Sequence, residues 1–187
     1  MEPLCDVVGR RSQAVSVSRR NWFVALPATI DLPPAPEGVT ALDALDHHVT
    51  VAFLGPVSEA AAMAAWRATR FDLAVREGRL GEVLALGASA ITVRVDDRAL
   101  EQAITCSRDA ITEAAGARRD DRDALPHVTL ARVSARATVT EHAAALAWAR
   151  GLHLEGTLVR LDRIALYTSA TDGGARRYRI VDVRPLP

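Results

Sequence analysis

The chain has 187 residues, 49% of them apolar and 25% charged, with a formal net charge of zero. That length suits one compact domain or two small lobes around one core, and the neutral balance excludes a broad basic surface for duplex nucleic acid while allowing a local basic pocket. No apolar run is long enough for a membrane helix, and the two cysteines, Cys5 and Cys106, far apart and without C-x-x-C spacing, point to neither a disulfide framework nor a four-thiolate zinc site. All 23 basic residues are arginine, so any single arginine is weak evidence that arginine chemistry was required.

Residues 1–19 contain "GRRSQAVSVSRR" and lack the apolar stretch of a secretion signal. They read as a flexible N-terminal extension of a cytoplasmic protein, and residues 20–187 as a single bilobal domain. "WFVAL" (22–26) is a short apolar run and reads as a buried strand. The three prolines of "DLPPAPEG" (31–38) make a loop. "HVTVAFLG" (48–55) is a strand stopped by Gly55-Pro56. Ser58 has the chemistry of a helix N-cap before the alanine-rich "EAAAMAAWRATR". "FDLAV" (71–75), "EVLALG" (82–87) and "ITVRV" (91–95) read as strands separated by glycines.

The next helix, "DDRALEQAITCSRDAITEAAG" (96–116), has acids at its start and a glycine at its end. Cys106 on it reads as a small buried apolar residue. A charged loop, "ARRDDRDALP", leads into the strand "HVTLARV" (127–133). Thr138 or Thr140 opens a third helix, and "EGTLVRL", "RIALYTS" and "RYRIVDVRPL" read as closing strands. "ATDGGARR" (170–177) carries the Asp-Gly-Gly signature of a hairpin turn. The order strand, helix, strands occurs twice. It predicts an α+β fold of two pseudo-symmetric lobes, each an antiparallel sheet with helices packed outside, with the active site in the cleft between them.

"HHVTVAFLG" and "PHVTLARVS" nearly repeat each other when aligned on His48 and His127. On a strand, alternation sets His48 and Thr50 on one face and Val49 and Val51 in the core; His127, Thr129, Val128 and Leu130 follow suit. Two imidazoles and two hydroxyls facing each other fit metal-free phosphodiester chemistry. One imidazole removes a proton from water and the other returns one to the leaving alkoxide, since an ordinary histidine populates both states near neutrality. The threonine hydroxyls can hold the non-bridging oxygens. The motifs are symmetric on paper, so this pattern does not say which histidine does which. Arg132 is a natural phosphate clamp, yet strict alternation puts it on the face opposite His127, so a bulge is needed.

The remaining histidines read differently. His47 alternates away from His48 and reads as exposed or merely adjacent, and His142 and His153 as structural. His47, His48 and His127 lack the spacing of a metal site, and no phosphate-loop or dinucleotide glycine motif is present. Trp22 and Tyr167 are candidate faces for stacking a base, whereas Phe53 reads as core.

At these residues the sequence resembles the 2H phosphoesterase superfamily, within it the bacterial RNA 2′,3′-cyclic phosphodiesterases, also called the 2′-5′ RNA ligase family. The likeness spans about residues 20–185, including "RNWFVALP" and the closing "LYTS…YRIVD". It implies hydrolysis of a terminal 2′,3′-cyclic phosphate to a 2′-phosphomonoester without metal or cofactor. It also implies His48 as proton donor, His127 as proton acceptor, and Thr50, Thr129 and Arg132 as phosphate-binding residues. The expected partners are RNA 3′ ends or small cyclic nucleotides, met by a monomer with no membrane attachment. Reverse ligation to a 2′-5′ linkage, a different cyclic or 2′-5′ linked nucleotide, and a non-catalytic RNA-end binder are the alternatives.

Overall fold

The computed structural model describes residues 20–73, 76–134, 136–170 and 176–187. The first motif-bearing strand, β3, is His48–Gly55, and the second, β6, is His127–Val133, each beginning on its histidine. Gly55 ends β3 at φ +70°, a left-handed conformation that favours glycine. Around these two lie β1 (Trp22–Pro27), β2 (Val39–Ala41), β4 (Glu77–Leu86), β5 (Ala90–Val95), β7 (Leu158–Arg160), β8 (Arg163–Ser169) and β9 (Tyr178–Pro185).

Three helices complete the fold: α1 (Glu59–Ala68), α2 (Arg98–Ala114) and α3 (Val139–Arg150). Each is opened by a side-chain cap. Ser58 accepts from the Ala61 amide, Asp97 from those of Ala99 and Leu100, and Thr138 forms a reciprocal capping box with Glu141; such caps contribute about 1 kcal/mol each. Among the described residues, no helix is long and apolar enough to cross a membrane.

The strands run in the order β7-β4-β5-β6-β3-β1-β8-β9, with β2 on β6, and every described pairing is antiparallel. The two expected lobes are visible as half-sheets, β3-β1-β8-β9 and β6-β5-β4-β7. Exchanging β3 with β6 exchanges the halves strand for strand, and α1 follows β3 as α3 follows β6. The halves meet at one paired residue on each side, Val49 with Val128.

One face of the sheet carries the main core. Val24, Leu26, Val49, Val128 and Leu130 are fully buried there with Leu100, Ile104 and Ile111 of α2. The opposite face of β1 carries a second, smaller cluster of Phe23, Ala25, Ala165 and Tyr167, with Tyr178 and Ile180 against it.

Several expectations need correction. Residues 71–73 do not form a strand, and the rest of that run, residues 74–75, lies outside the described residues; Phe71 and Leu73 are buried in the core without joining the sheet. β4 instead begins at Glu77, five residues before the expected strand. Cys106 is exposed, because Leu100, Ile104 and Ile111 define the buried stripe of α2 and a residue two positions from Ile104 faces away from it. Most of the expected hairpin turn, residues 171–175, and the extension 1–19 lie outside the described residues.

Candidate active site

The Val49–Val128 pair settles how the motifs meet. In an antiparallel register, the neighbours of that pair set His48 opposite Thr129 and Thr50 opposite His127. All four side chains therefore share the face opposite the two buried valines, and the imidazoles are diagonal neighbours, a spacing of roughly 7–8 Å between backbones. Only one pair is formed, so the strands splay on either side of it and the groups face an opening.

Each strand carries a bulge at the same place. In β3, Val24 pairs with Ala52 and Ala25 with Thr50, which leaves Val51 as the extra residue. In β6, Ile91 pairs with Ala131 and Thr92 with Thr129, which leaves Leu130 extra. A bulge shifts the alternation by one residue. The burial patterns record it: from the histidine, each strand reads half-buried, buried, half-buried, buried, buried. Arg132 thus returns to the face of His127 and Thr129, the bulge that the sequence pattern demanded. By the same shift Phe53 returns to the face of His48 and Thr50. Phe53 is 54% exposed, which corrects its assignment to the core.

The imidazoles are oriented alike. The Nδ1 of His48 lies 2.7 Å from the Asp46 carbonyl oxygen, and the Nδ1 of His127 lies 2.6 Å from that of Leu125. A carbonyl only accepts, so each Nδ1 carries the proton and donates it. Each Nε2 is then the nitrogen left for exchange with a substrate.

Their electrostatic settings differ. Burial pushes the His48 imidazole down to about 4; the Asp46 carbonyl opposes this, and the charges of His127, His47 and Arg132 add to it. Phe23, Tyr167 and Tyr178 surround its ring at centroid distances of 4.8, 5.3 and 5.2 Å. His127 is also held below the usual histidine range, by burial first and then Arg132, against the pull of the Leu125 carbonyl. Because His127 and His48 repel when both are charged, the pair resists a second proton.

A cavity of about 510 Å³ opens beside the joint. Thr50, His127 and Arg132 line it, together with Phe53, Leu86 and Leu125, and its far wall carries Arg108, Asp120 and Arg122. Arg122 is locked onto Asp120 by two 2.8 Å hydrogen bonds. Arg132 has no carboxylate partner among the described residues; its nearest polar contact is the Ser89 hydroxyl at 3.4 Å. His48 and Thr129 do not line this cavity, and His48 lies against the aromatic rings instead.

The two candidate stacking residues are not open faces. Trp22 (3% exposed) belongs to the main core, and Tyr167 (0%) is stacked on Phe23 at 4.9 Å as a wall of the His48 environment. His47 is 1% exposed, not exposed as expected, and both ring nitrogens lack a hydrogen-bond partner among the described residues. Facing away from the site means facing the interior here, and burial lowers its pKa. Sequence reasoning missed Phe53 as a site residue. The signal was available, since Phe53 and Arg132 stand five residues after their histidines.

No protein-family model and no curated protein matches the sequence. Solved structures do match. A phosphoesterase crystal structure aligns with 90% of this chain and 98% of its own, at TM-score 0.65 and 21% identity. E. coli LigT complexed with NADP+ aligns with 90% and 98%, at TM-score 0.62 and 23% identity. TT0787 of Thermus thermophilus aligns with 89% and 97%, at TM-score 0.53 and 18% identity. Identities this low speak to architecture alone: the chain has the fold of LigT and of the phosphoesterase it aligns with.

Proposed function

We propose that this protein hydrolyses RNA-terminal 2′,3′-cyclic phosphate to a 2′-phosphomonoester by a two-histidine acid/base mechanism that needs no metal. One observation carries the reading: two imidazoles, each with Nδ1 committed to a carbonyl, share a face with two threonine hydroxyls and the Arg132 guanidinium. Among the described residues, no three metal-ligating side chains cluster.

In this mechanism His127 Nε2 takes a proton from water as the water oxygen bonds to phosphorus. The bond from phosphorus to the 3′ oxygen breaks, and His48 Nε2–H protonates that oxygen. The products are a 2′-phosphomonoester and a free 3′ hydroxyl. Thr50, Thr129 and Arg132 hold the non-bridging oxygens, where fixed donors meet the charge that develops. His48 is neutral in the free protein near pH 7; the diester anion beside it favours the charged imidazole that can donate. Phe53, rather than Trp22 or Tyr167, offers the face on which a base can rest. Solved LigT structures hold 3′-AMP and NADP+, which supports a nucleotide-sized ligand for the cavity.

The test is hydrolysis of an oligonucleotide 2′,3′-cyclic phosphate with and without EDTA. Activity that survives chelation and disappears in both His48→Ala and His127→Ala supports the mechanism. Loss in EDTA, or full activity in either variant, would sink it. A panel of cyclic and 2′-5′ linked nucleotides separates the second reading, a different phosphodiester substrate. Binding without turnover would indicate an RNA-end binder.

A further inference from the structure

Asp46 stands two residues before His48, in a short 3-10 turn (Ala44–Asp46) between β2 and β3. Leu42 still follows the edge of β6, its amide donating to the Leu130 carbonyl at 2.8 Å. The chain then leaves that edge over residues 43–46 and rejoins the sheet where the His47 carbonyl accepts the Ala28 amide at 3.0 Å. None of the described strand pairings holds this excursion in place, although it supplies the carbonyl that orients the His48 ring.

Its anchor is the Asp46 side chain, which is 0% exposed. The carboxylate accepts the Arg177 amide at 2.7 Å and the Tyr178 amide at 3.2 Å, and Arg176 Nε lies 3.8 Å from it. Arg176 Nη2 also donates to the Leu45 carbonyl at 3.3 Å. Burying a carboxylate is costly unless it is paired and hydrogen-bonded, and here Arg176 and Arg177, just before β9, and Tyr178, its first residue, supply those partners. The start of β9 also places the Tyr178 ring edge-on to the imidazole at 88°.

We propose that Asp46 is the positioning residue for His48: its carboxylate, held by the start of β9, fixes the carbonyl that orients the imidazole and the tyrosine that walls it. His127 has no counterpart. Its Nδ1 is served by the carbonyl of Leu125, a residue 39% exposed whose apolar side chain can accept no such bonds. The proposal rests on His48 acting as an acid/base group.

The experiment compares Asp46→Asn with Trp66→Phe. The second removes a 2.8 Å hydrogen bond from Trp66 to Asp182 of the same strand, away from the imidazole, and is expected to leave turnover unchanged. Asp46→Asn is expected to lower kcat about 10- to 100-fold with KM within about threefold, the pattern of a misplaced reacting group. The His48 pKa, followed by NMR, is expected to move from about 4, because the loosened ring loses both the burial that lowers it and the carbonyl bond that raises it. Wild-type kcat with an unmoved His48 titration overturns the proposal, as does an equal kcat loss in Trp66→Phe. Should Asp46→Asn not fold, the exposed Arg176→Gln decides: about a two- to fivefold lower kcat with a shifted His48 pKa supports positioning, and neither change overturns it. The His48 titration needs no turnover, so it reads the latch even where the assigned reaction fails; full activity in His48→Ala counts against the reaction.

Discussion

β3 and β6 share a burial pattern and a bulge at the same step, yet their histidines have different neighbours. His48 sits among Phe23, Tyr167 and Tyr178 beside a buried carboxylate latch. His127 sits beside Arg132 at a cavity whose wall is a charged loop. Where β6 presents Arg132, β3 presents Phe53. Duplicated backbone geometry thus delivers two equivalent Nε2 atoms, and the surroundings differentiate them. In the proposed roles the surroundings do not by themselves make His48 the acid: they lower its pKa to about 4, so its proton has to be restored by the diester anion that binds beside it.

The sharpest break of this comparison is to remove either histidine. His48→Gln and His127→Gln are each expected to lower kcat by roughly 10²- to 10⁴-fold, and the double variant to be little worse than either, as the proposed acid/base pair requires. Steady-state turnover of a cyclic nucleotide measures both. Additive losses would show the histidines to be independent.

The next effect is on stability. A folded pKa depressed from 6.5 to about 4 means that the folded state resists a proton which the unfolded chain accepts. The stability that comes from neutral His48 is complete above pH 6.5 and is lost as pH falls towards 4, an amount on the order of 3 kcal/mol. His47 and His127 are shifted in the same direction. Denaturant unfolding at pH 7 and pH 4.5 should show the decline, and His48→Gln should remove the largest single share of it. An equal share removed by His127→Gln would contradict the asymmetry.

The exchanged position sharpens the comparison further. Arg132→Ala is expected to reduce kcat/KM about 100-fold and Arg132→Lys to recover part of it, because a point charge keeps attraction but loses the planar fork. Phe53→Ala is expected to raise KM for nucleotide substrates about tenfold with little change in kcat, the size of one lost base stack. Equal effects of Phe53→Ala on a cyclic phosphodiester lacking a base would remove the stacking role.

Much of this was legible in the chain. The limits of β3 and β6, the cap at Ser58, and the choice of His48 over His47 all follow from alternation and local hydrogen-bonding chemistry, whereas the third helix offered Thr138 and Thr140 alike and only the capping box with Glu141 chose Thr138. Arg132 was legible as a contradiction, since its residue type suited the phosphate and its parity did not. The bulge that resolves it is a property of pairing with β5, so no reading of "HVTLARV" alone could locate it. The same holds for Phe53, whose face depends on the register with β1. Trp22 and Tyr167 misled for a related reason: an aromatic on a strand can wall a site or fill a core, and the neighbouring strands choose.

What the sequence by itself determined is the repertoire of the candidate site, two His-x-Thr pairs on strands with the histidine and threonine of each on one face, because side-chain alternation is a local rule. What only the tertiary structure decided is everything that depends on register and distance. The single Val49–Val128 pair sets the motifs facing each other, the twin bulges turn Arg132 and Phe53 toward them, and Asp46 binds the amide of Arg177, just before β9 and 131 positions away in the chain. Those contacts join segments far apart in sequence, and their geometry exists only once the sheet has formed.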